Sequence, residues 1–186
     1  MPRSTREAIL DVAEEIYRTE GAEALSMRHI AGTVGVSATA LYRHYRGKED
    51  LLNAIADRGF EELAAAFDRA RIRGTSARER LLAIVDAFRG YAVKKPAVFD
   101  LMFFARRPGA RRYPTAFEKS ESPSAKLLVE VLRESGVDDP VGASLLIWAA
   151  AQGLISLDRA ERFESERAFR RAWDSTFQRL FDLLAL

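Results

Sequence analysis

Apolar residues recur every three or four positions over most of this chain, which is the spacing of one face of an α-helix. The segment from about 166 to 184 shows this clearly, because charged residues occupy the face opposite its apolar stripe. No segment alternates apolar and polar residues with the period of a β-strand. The pattern therefore predicts an all-α protein of about nine helices.

Three short helices are predicted at the beginning of the chain. The run Ser4-Thr5-Arg6-Glu7 has the form of a capping box and opens the first helix. Ser26 is placed to cap a second helix, which Gly35 ends, and Ser37 is placed to cap a third. Two short helices joined by a glycine-containing turn follow the helix-turn-helix plan, so residues 1–47 are predicted to form one domain.

A longer amphipathic stretch begins at Lys48 and is predicted to run to about Arg73 without an internal proline. This long fourth helix would join the first domain to a second, all-helical domain over 48–186. A proline- and arginine-containing loop is predicted over 105–123. Its arginines leave two interpretations open, a solvated connector or a site for an acidic ligand or DNA: Arg106, Arg107, Arg111 and Arg112.

The whole-chain charge does not indicate nucleic-acid binding, because 29 Lys and Arg residues against 27 Asp and Glu residues give a net charge of only +2. The local charge differs, since the segment from Ala24 to Lys48 contains four cations and no acidic residue: Arg28, Arg43, Arg46 and Lys48. A phosphate backbone is attracted to such a basic surface. Lys48 also stands at a helix start, where free amide groups bind anions.

An ordinary helical corner with a solvated basic face is the alternative interpretation of this segment. A run of residues within it closely resembles the DNA-binding domain of the TetR family of transcriptional regulators: Ile30-Ala31, Gly35-Val36-Ser37, Leu41-Tyr42-Arg43-His44-Tyr45 and Lys48-Glu49-Asp50-Leu51-Leu52. The resemblance covers about the first fifty residues. Thr39 replaces a glycine or proline of many members, and Tyr45 replaces a phenylalanine.

The resemblance implies roles for individual residues of this segment. Tyr42, His44 and Lys48 would contact DNA phosphates, and the exposed start of the recognition helix, Ala38-Thr39-Ala40, would meet base edges. Arg28 is added to this predicted DNA-binding set as a cation of the same acid-free segment. The small residues Ala38 and Ala40 leave the base preference open.

A homodimer is predicted, because one helix-turn-helix unit offers few contacts to an operator. The run from Pro140 to Leu157 carries no charge, and a buried or interfacial helix explains it better than a membrane span. The predicted interface residues are Leu145, Phe169, Trp173, Phe177, Leu180 and Phe181. The alternative is that the last helix turns its apolar stripe only toward its own core.

A small-molecule site is predicted in the second domain, at Tyr91, Phe99, Phe103, Trp148 and Gln152. Trp148 and Gln152 lie four residues apart and therefore on one helix face. Their segment resembles the W-x-x-x-H-G segment of one TetR ligand-binding class, with Gln152 in place of the histidine. The expected effector is apolar or aromatic, and the alternative is a core filled by side chains.

Enzymatic chemistry is not expected. The chain has no cysteine, and both of its histidines, His29 and His44, lie in the predicted DNA-binding segment, so no cofactor and no metal site are predicted. The absence of cysteine is also consistent with a reducing cytoplasm. The resemblance implies a ligand-responsive regulator, most often a repressor, that binds a palindromic operator in double-stranded DNA. A helical interaction protein with a degenerate DNA-binding domain is the alternative.

Overall fold

The computed structural model describes residues 4–119 and 121–186, which form ten α-helices and no β-strand. The helices are α1 Thr5–Glu20, α2 Met27–Val34, α3 Ala38–His44, α4 Lys48–Arg71, α5 Ala77–Lys94, α6 Pro96–Phe103, α7 Thr115–Glu118, α8 Pro123–Glu134, α9 Pro140–Arg159 and α10 Glu166–Leu183. The all-α prediction is confirmed. The short α7 is the helix that the sequence pattern missed, because it lies in the predicted loop over 105–123.

The predicted helix ends follow from local capping. The Ser4 hydroxyl accepts a hydrogen bond from the Glu7 N–H at 3.2 Å, and the Glu7 carboxylate accepts one from the Ser4 N–H at 3.0 Å. These two bonds satisfy amide groups that have no partner within the helix. Gly35 ends α2 with a φ of 78°, a left-handed conformation that suits glycine.

Two compact units divide the chain, and their boundary differs from the predicted one at residue 48. The first unit contains the residues up to Phe60 together with Lys95–Ala110, and the second contains Glu61–Lys94 and Arg111–Leu186. The first half of α4 and all of α6 therefore belong with the helix-turn-helix. Close packing explains this, because a Cβ atom on Gly59 would lie 2.5 Å from the Met102 sulfur.

A cluster of charges fastens three helices within the first unit. Arg58 of α4 contacts Asp11 at 2.7 Å and Glu14 at 3.3 Å, both on α1, and Lys95 contacts Glu14 at 2.9 Å. Burial alone would lower the pKa of Arg58, but hydrogen bonding and charge attraction from the two carboxylates outweigh burial and raise it. The cluster fixes the first half of α4 against α1.

The aromatic stripe of α10 fills the core of the second unit. Phe169, Phe177 and Phe181 are fully buried and Trp173 is 3% exposed, all within a single chain. The Trp173 indole N–H donates to the Asp86 carboxylate at 2.9 Å. The prediction that these four side chains lie at a dimer interface is therefore corrected to a core role, because their own chain already covers them.

The apolar surface of α9 is buried much less completely than that of α10. It is long and apolar enough to cross a membrane by length and composition, yet only 28% of that stretch is buried in the structure. Leu146 is 54% exposed and Leu157 is 47% exposed, whereas the predicted interface residue Leu145 is half-buried. The uncharged exposed surface thus lies on α9 rather than on α10.

Candidate nucleic-acid interface

The helices α2 and α3 form the predicted helix-turn-helix, and its turn is defined by hydrogen bonds. The Gly35 N–H donates to the Ala31 carbonyl at 3.0 Å, and the Val36 N–H donates to the same carbonyl at 3.0 Å. The Ser37 hydroxyl then accepts from the Ala40 N–H at 3.1 Å and caps α3. The turn is therefore fixed at both ends, which holds α3 in a defined orientation on α2.

The inward and outward faces of α3 agree with the sequence pattern. Leu41 is fully buried and Tyr45 is 2% exposed, so both anchor the helix in the first unit. The Tyr45 hydroxyl donates to the Arg6 carbonyl at 3.4 Å, which gives the buried phenol a partner. Tyrosine in place of phenylalanine is thereby accommodated.

The residues predicted to contact DNA lie on the outward face of this motif. Ala38, Thr39 and His44 are exposed, Tyr42 is 53% exposed, and Ala40 is half-buried. The segment thus combines a small, open helix start with a row of larger polar groups one turn later. The exposed Arg28 on α2 extends the basic surface.

The cations of this segment are available to an external anion. In the parts of the chain that the structure describes, none of them lies in an ion pair: Arg28, Arg43, Arg46 and Lys48. The arginine of the charge cluster, Arg58, behaves differently because two carboxylates engage it. Four cations without internal partners can neutralise phosphate charge without first breaking a contact.

Lys48 occupies the first position of α4, and the region around it is organised by Asp50. The Asp50 carboxylate accepts a hydrogen bond from the Arg46 N–H at 3.0 Å. Lys48 itself is half-buried. A phosphate at this helix start would meet free amide groups, the positive end of the helix dipole and the ammonium group together.

The residues of the predicted effector site fall into both compact units. In the first unit, Phe99 is fully buried, and its ring centroid lies 4.7 Å from that of the half-buried Phe103. In the second unit, Tyr91 is 8% exposed and donates to the Glu62 carboxylate at 3.0 Å. The Tyr91 hydroxyl thus has an internal partner, which ties α5 to the second half of α4.

Trp148 of α9 lies beside the aromatic side chain of Phe117. The ring centroids of Phe117 and Trp148 are 5.6 Å apart, and the ring centroids of Tyr113 and Phe117 are 5.4 Å apart. The Gln152 side-chain oxygen is buried and accepts no hydrogen bond from any described residue. A buried amide oxygen without a donor is costly, and Gln152 is one residue of the predicted effector site in this state.

One polar contact in the first unit has no signal in the sequence pattern. Arg107 donates to the Asn53 side-chain oxygen at 2.7 Å and to the Leu101 carbonyl at 3.3 Å. Of the other loop arginines, Arg111 donates to the Glu121 carbonyl at 2.9 Å, and Arg106 and Arg112 are exposed. No local pattern could have identified Asn53 as the partner, because the two side chains are 54 positions apart.

Two family descriptions match this chain. Residues 9–55 match the family described as bacterial regulatory proteins, tetR family, and residues 81–184 match the one described as tetracyclin repressor-like, C-terminal domain. The HTH-type transcriptional regulator Rv1816 of Mycobacterium tuberculosis is 33% identical, over 84% of this chain and 82% of that protein.

Solved structures share the fold. A protein of unknown function from Rhodococcus sp. RHA1 superposes with a TM-score of 0.82 at 26% identity, over 100% of this chain and 97% of that one. The transcriptional regulator FadR of Bacillus subtilis in complex with stearoyl-CoA superposes with a TM-score of 0.70 at 15% identity, over 94% and 96% of the two chains.

Proposed function

Because this chain belongs to the TetR family of transcription regulators, we propose that it is a ligand-responsive repressor that binds a palindromic operator as a homodimer. The observation that carries the proposal is that the helix-turn-helix and the segment leading into α4 carry four cations without ion-pair partners in the described chain. Repression is the usual mode of the family, and the DNA it controls would lie in the cytoplasm.

The proposed docking places the start of α3 in the major groove of DNA. The exposed Ala38 and Thr39 would face base edges, since small side chains let the helix approach closely. Tyr42, His44 and Lys48 would contact phosphates on either side. Binding-site selection from random duplex DNA tests this function directly, and a recovered palindrome would report specificity and two-fold symmetry together.

Replacing Lys48 with alanine is expected to weaken binding to all DNA sequences alike, because phosphate contacts position a protein without specifying a sequence. One charge-assisted hydrogen bond contributes about 1.5–3 kcal/mol. The slope of log K against log salt should flatten by about 0.9 per lost contact, hence by about two for a homodimer. Fluorescence anisotropy over a salt series measures both quantities.

Two further variants serve as matched controls for Lys48→Ala. Lys126→Ala removes an exposed lysine of α8 and should leave both affinity and salt slope unchanged. Thr39→Ala should change the base preference and leave the salt slope unchanged, because threonine contributes no charge. An unchanged slope in Lys48→Ala would remove this lysine from the proposed phosphate contacts.

The proposed dimer uses the exposed side of α9. Leu146, Ala149, Gly153 and Leu157 follow one another at spacings of three and four residues and are all exposed, so they share one helix face. This face carries no charge, and its small residues allow the close approach that helix packing needs. A second copy is the proposed occupant, since two recognition helices must bind two half-sites related by a two-fold axis.

The proposed effector site lies around Phe117, Trp148 and Gln152 in the second unit. The tilted rings of Phe117 and Trp148 offer an apolar wall, and the buried Gln152 oxygen has no hydrogen-bond donor among the described residues. An apolar site with one orienting polar group is the usual composition of a small-molecule pocket. The acyl-CoA bound by FadR of Bacillus subtilis supports an effector with a large apolar part.

Gln152→Leu is expected to change which effector binds and to leave the operator affinity of the free protein intact. Leucine removes the buried acceptor, so ligands that use a donor there should lose about 1–3 kcal/mol, while fully apolar ligands should bind as well or better. Thermal shift with a library of apolar metabolites, followed by operator binding with each hit, measures both effects. Bound ligands that never alter operator affinity would contradict the sensor role.

A further inference from the structure

A side-chain pair, Arg107 and Asn53, connects the loop after α6 to α4. The Arg107 guanidinium donates through one nitrogen to the Asn53 oxygen at 2.7 Å and through another to the Leu101 carbonyl at 3.3 Å. Both side chains are half-buried. A single guanidinium therefore bridges the end of α6 and the first half of α4, entirely within the first unit.

The loop backbone also approaches Asn53 directly. Gly109 has a left-handed φ of 78°, and a Cβ atom placed on it would lie 3.4 Å from the Asn53 side-chain nitrogen. Glycine suits this position because other residues rarely adopt this conformation. The loop backbone thus lies close to the side chain that accepts the hydrogen bond from Arg107.

Asn53 lies five residues after Lys48 on the same helix, which corresponds to about 7.5 Å along the helix axis. A constraint at Asn53 is therefore also a constraint on the start of α4. The charge cluster around Arg58 fixes this helix to α1, and Gly59 packs closely on Met102 of α6, whereas Arg107 is the polar contact from the loop after α6. The position of Lys48 thus depends on both attachments.

We propose that Arg107 and Asn53 are positioning residues for operator binding, which form a latch that keeps the start of α4 in its DNA-competent position. The inference rests on the proposed function. Past Ala110 the loop continues into the segment that carries Tyr113 and Phe117, beside the proposed effector site. The latch residue Arg107 and the aromatic residue Phe117 thus lie at opposite ends of one chain segment, and the end with Phe117 would respond to effector.

Arg107→Ala and Asn53→Leu should each weaken operator binding at least about fivefold, which is the lower end of typical couplings between sites. The double variant should be no weaker than the weaker single variant, because both changes remove the same contact. Asn53→Asp keeps an acceptor for the guanidinium and should retain the wild-type affinity. The salt slope should stay at its wild-type value in all these variants, since neither residue contacts DNA and the bound protein still forms the Lys48 contact.

Arg106→Ala is the matched control, because this neighbouring arginine is exposed and no described residue forms an ion pair with it. It should bind operator like the wild type. Hydrogen exchange provides a second measurement, in which operator DNA should slow exchange of the peptide spanning 104–112 in the wild type but not in Arg107→Ala. Melting curves establish that each variant is folded.

Three results would overturn the latch. They are wild-type affinity in Arg107→Ala, a flattened salt slope in Arg107→Ala, and loop exchange that operator slows equally in wild type and Arg107→Ala. The proposed function fails separately, when the wild type itself selects no DNA sequence.

Discussion

Gly153→Arg is expected to give a folded monomer whose operator affinity is about 10²–10⁴-fold below that of the wild type. Two linked DNA-binding units gain a factor of this size over one, because the second binding event becomes intramolecular. In the proposed dimer, the new guanidinium would lie where two copies of α9 approach each other. An arginine in that contact would separate the helices and bury a charge without a partner.

The same substitution is harmless within a single chain. Gly153 is exposed, and a Cβ atom placed on it would meet nothing within 4 Å. Arginine also has a higher helix propensity than glycine, by about 0.7 kcal/mol. Loss of operator binding by this variant would therefore report on assembly rather than on folding.

Gly90→Arg is a matched control, since Gly90 is an exposed glycine inside α5 and is equally open. It should behave as the wild type in light scattering and in operator binding. Leu146→Arg, on the same face of α9, should reproduce Gly153→Arg. A wild type that is already monomeric at micromolar concentration would reject the homodimer, and a dimeric Gly153→Arg would reject this interface.

The helix-turn-helix could be predicted from the sequence because its signals are local. Ser26, Gly35 and Ser37 each act within four residues of their own position, and the hydrogen bonds of the structure match the predicted caps. The buried pair Leu41 and Tyr45 follows from helical spacing in the same way. Local patterns of this kind carry the information for both the fold and the candidate DNA-binding face.

The role of α10 could not be predicted from the same kind of pattern. Spacings of three and four identified its apolar face correctly, but periodicity does not say which surface covers that face. In the structure its own unit covers it, and Asp86 supplies the partner that the Trp173 indole requires. The exposed apolar face belongs to α9, where small residues give a weak amphipathic signal.

The contact between Arg107 and Asn53 could not be predicted from the sequence pattern either. Its two residues are 54 positions apart, and neither belongs to a repeated pattern. The arginine-containing loop was expected to be either a solvated connector or a binding site, and two of its arginines instead make internal hydrogen bonds. Contacts of this range depend on the completed packing of helices, which a local pattern does not specify.

Phe177→Ala is expected to lower the free energy of unfolding by about 3–5 kcal/mol, the usual cost of removing a buried phenylalanine. Its ring is fully buried between neighbours on α10, with its centroid 4.8 Å from Trp173 and 6.0 Å from Phe181. Domains of this kind are stable by only about 5–15 kcal/mol. The truncation should therefore remove a large part of the free energy of unfolding.

Phe177→Arg should unfold the second unit rather than release a folded monomer, because an arginine there would place an unpaired charge in an apolar core. Gln178→Arg, at the next and exposed position of α10, is the matched control and should remain folded. Urea titrations followed by circular dichroism at several protein concentrations separate the two effects, since loss of a dimer changes the concentration dependence of unfolding. If Phe177→Arg is monomeric and melts like Gln178→Arg, the apolar stripe of α10 forms the dimer interface and not the core.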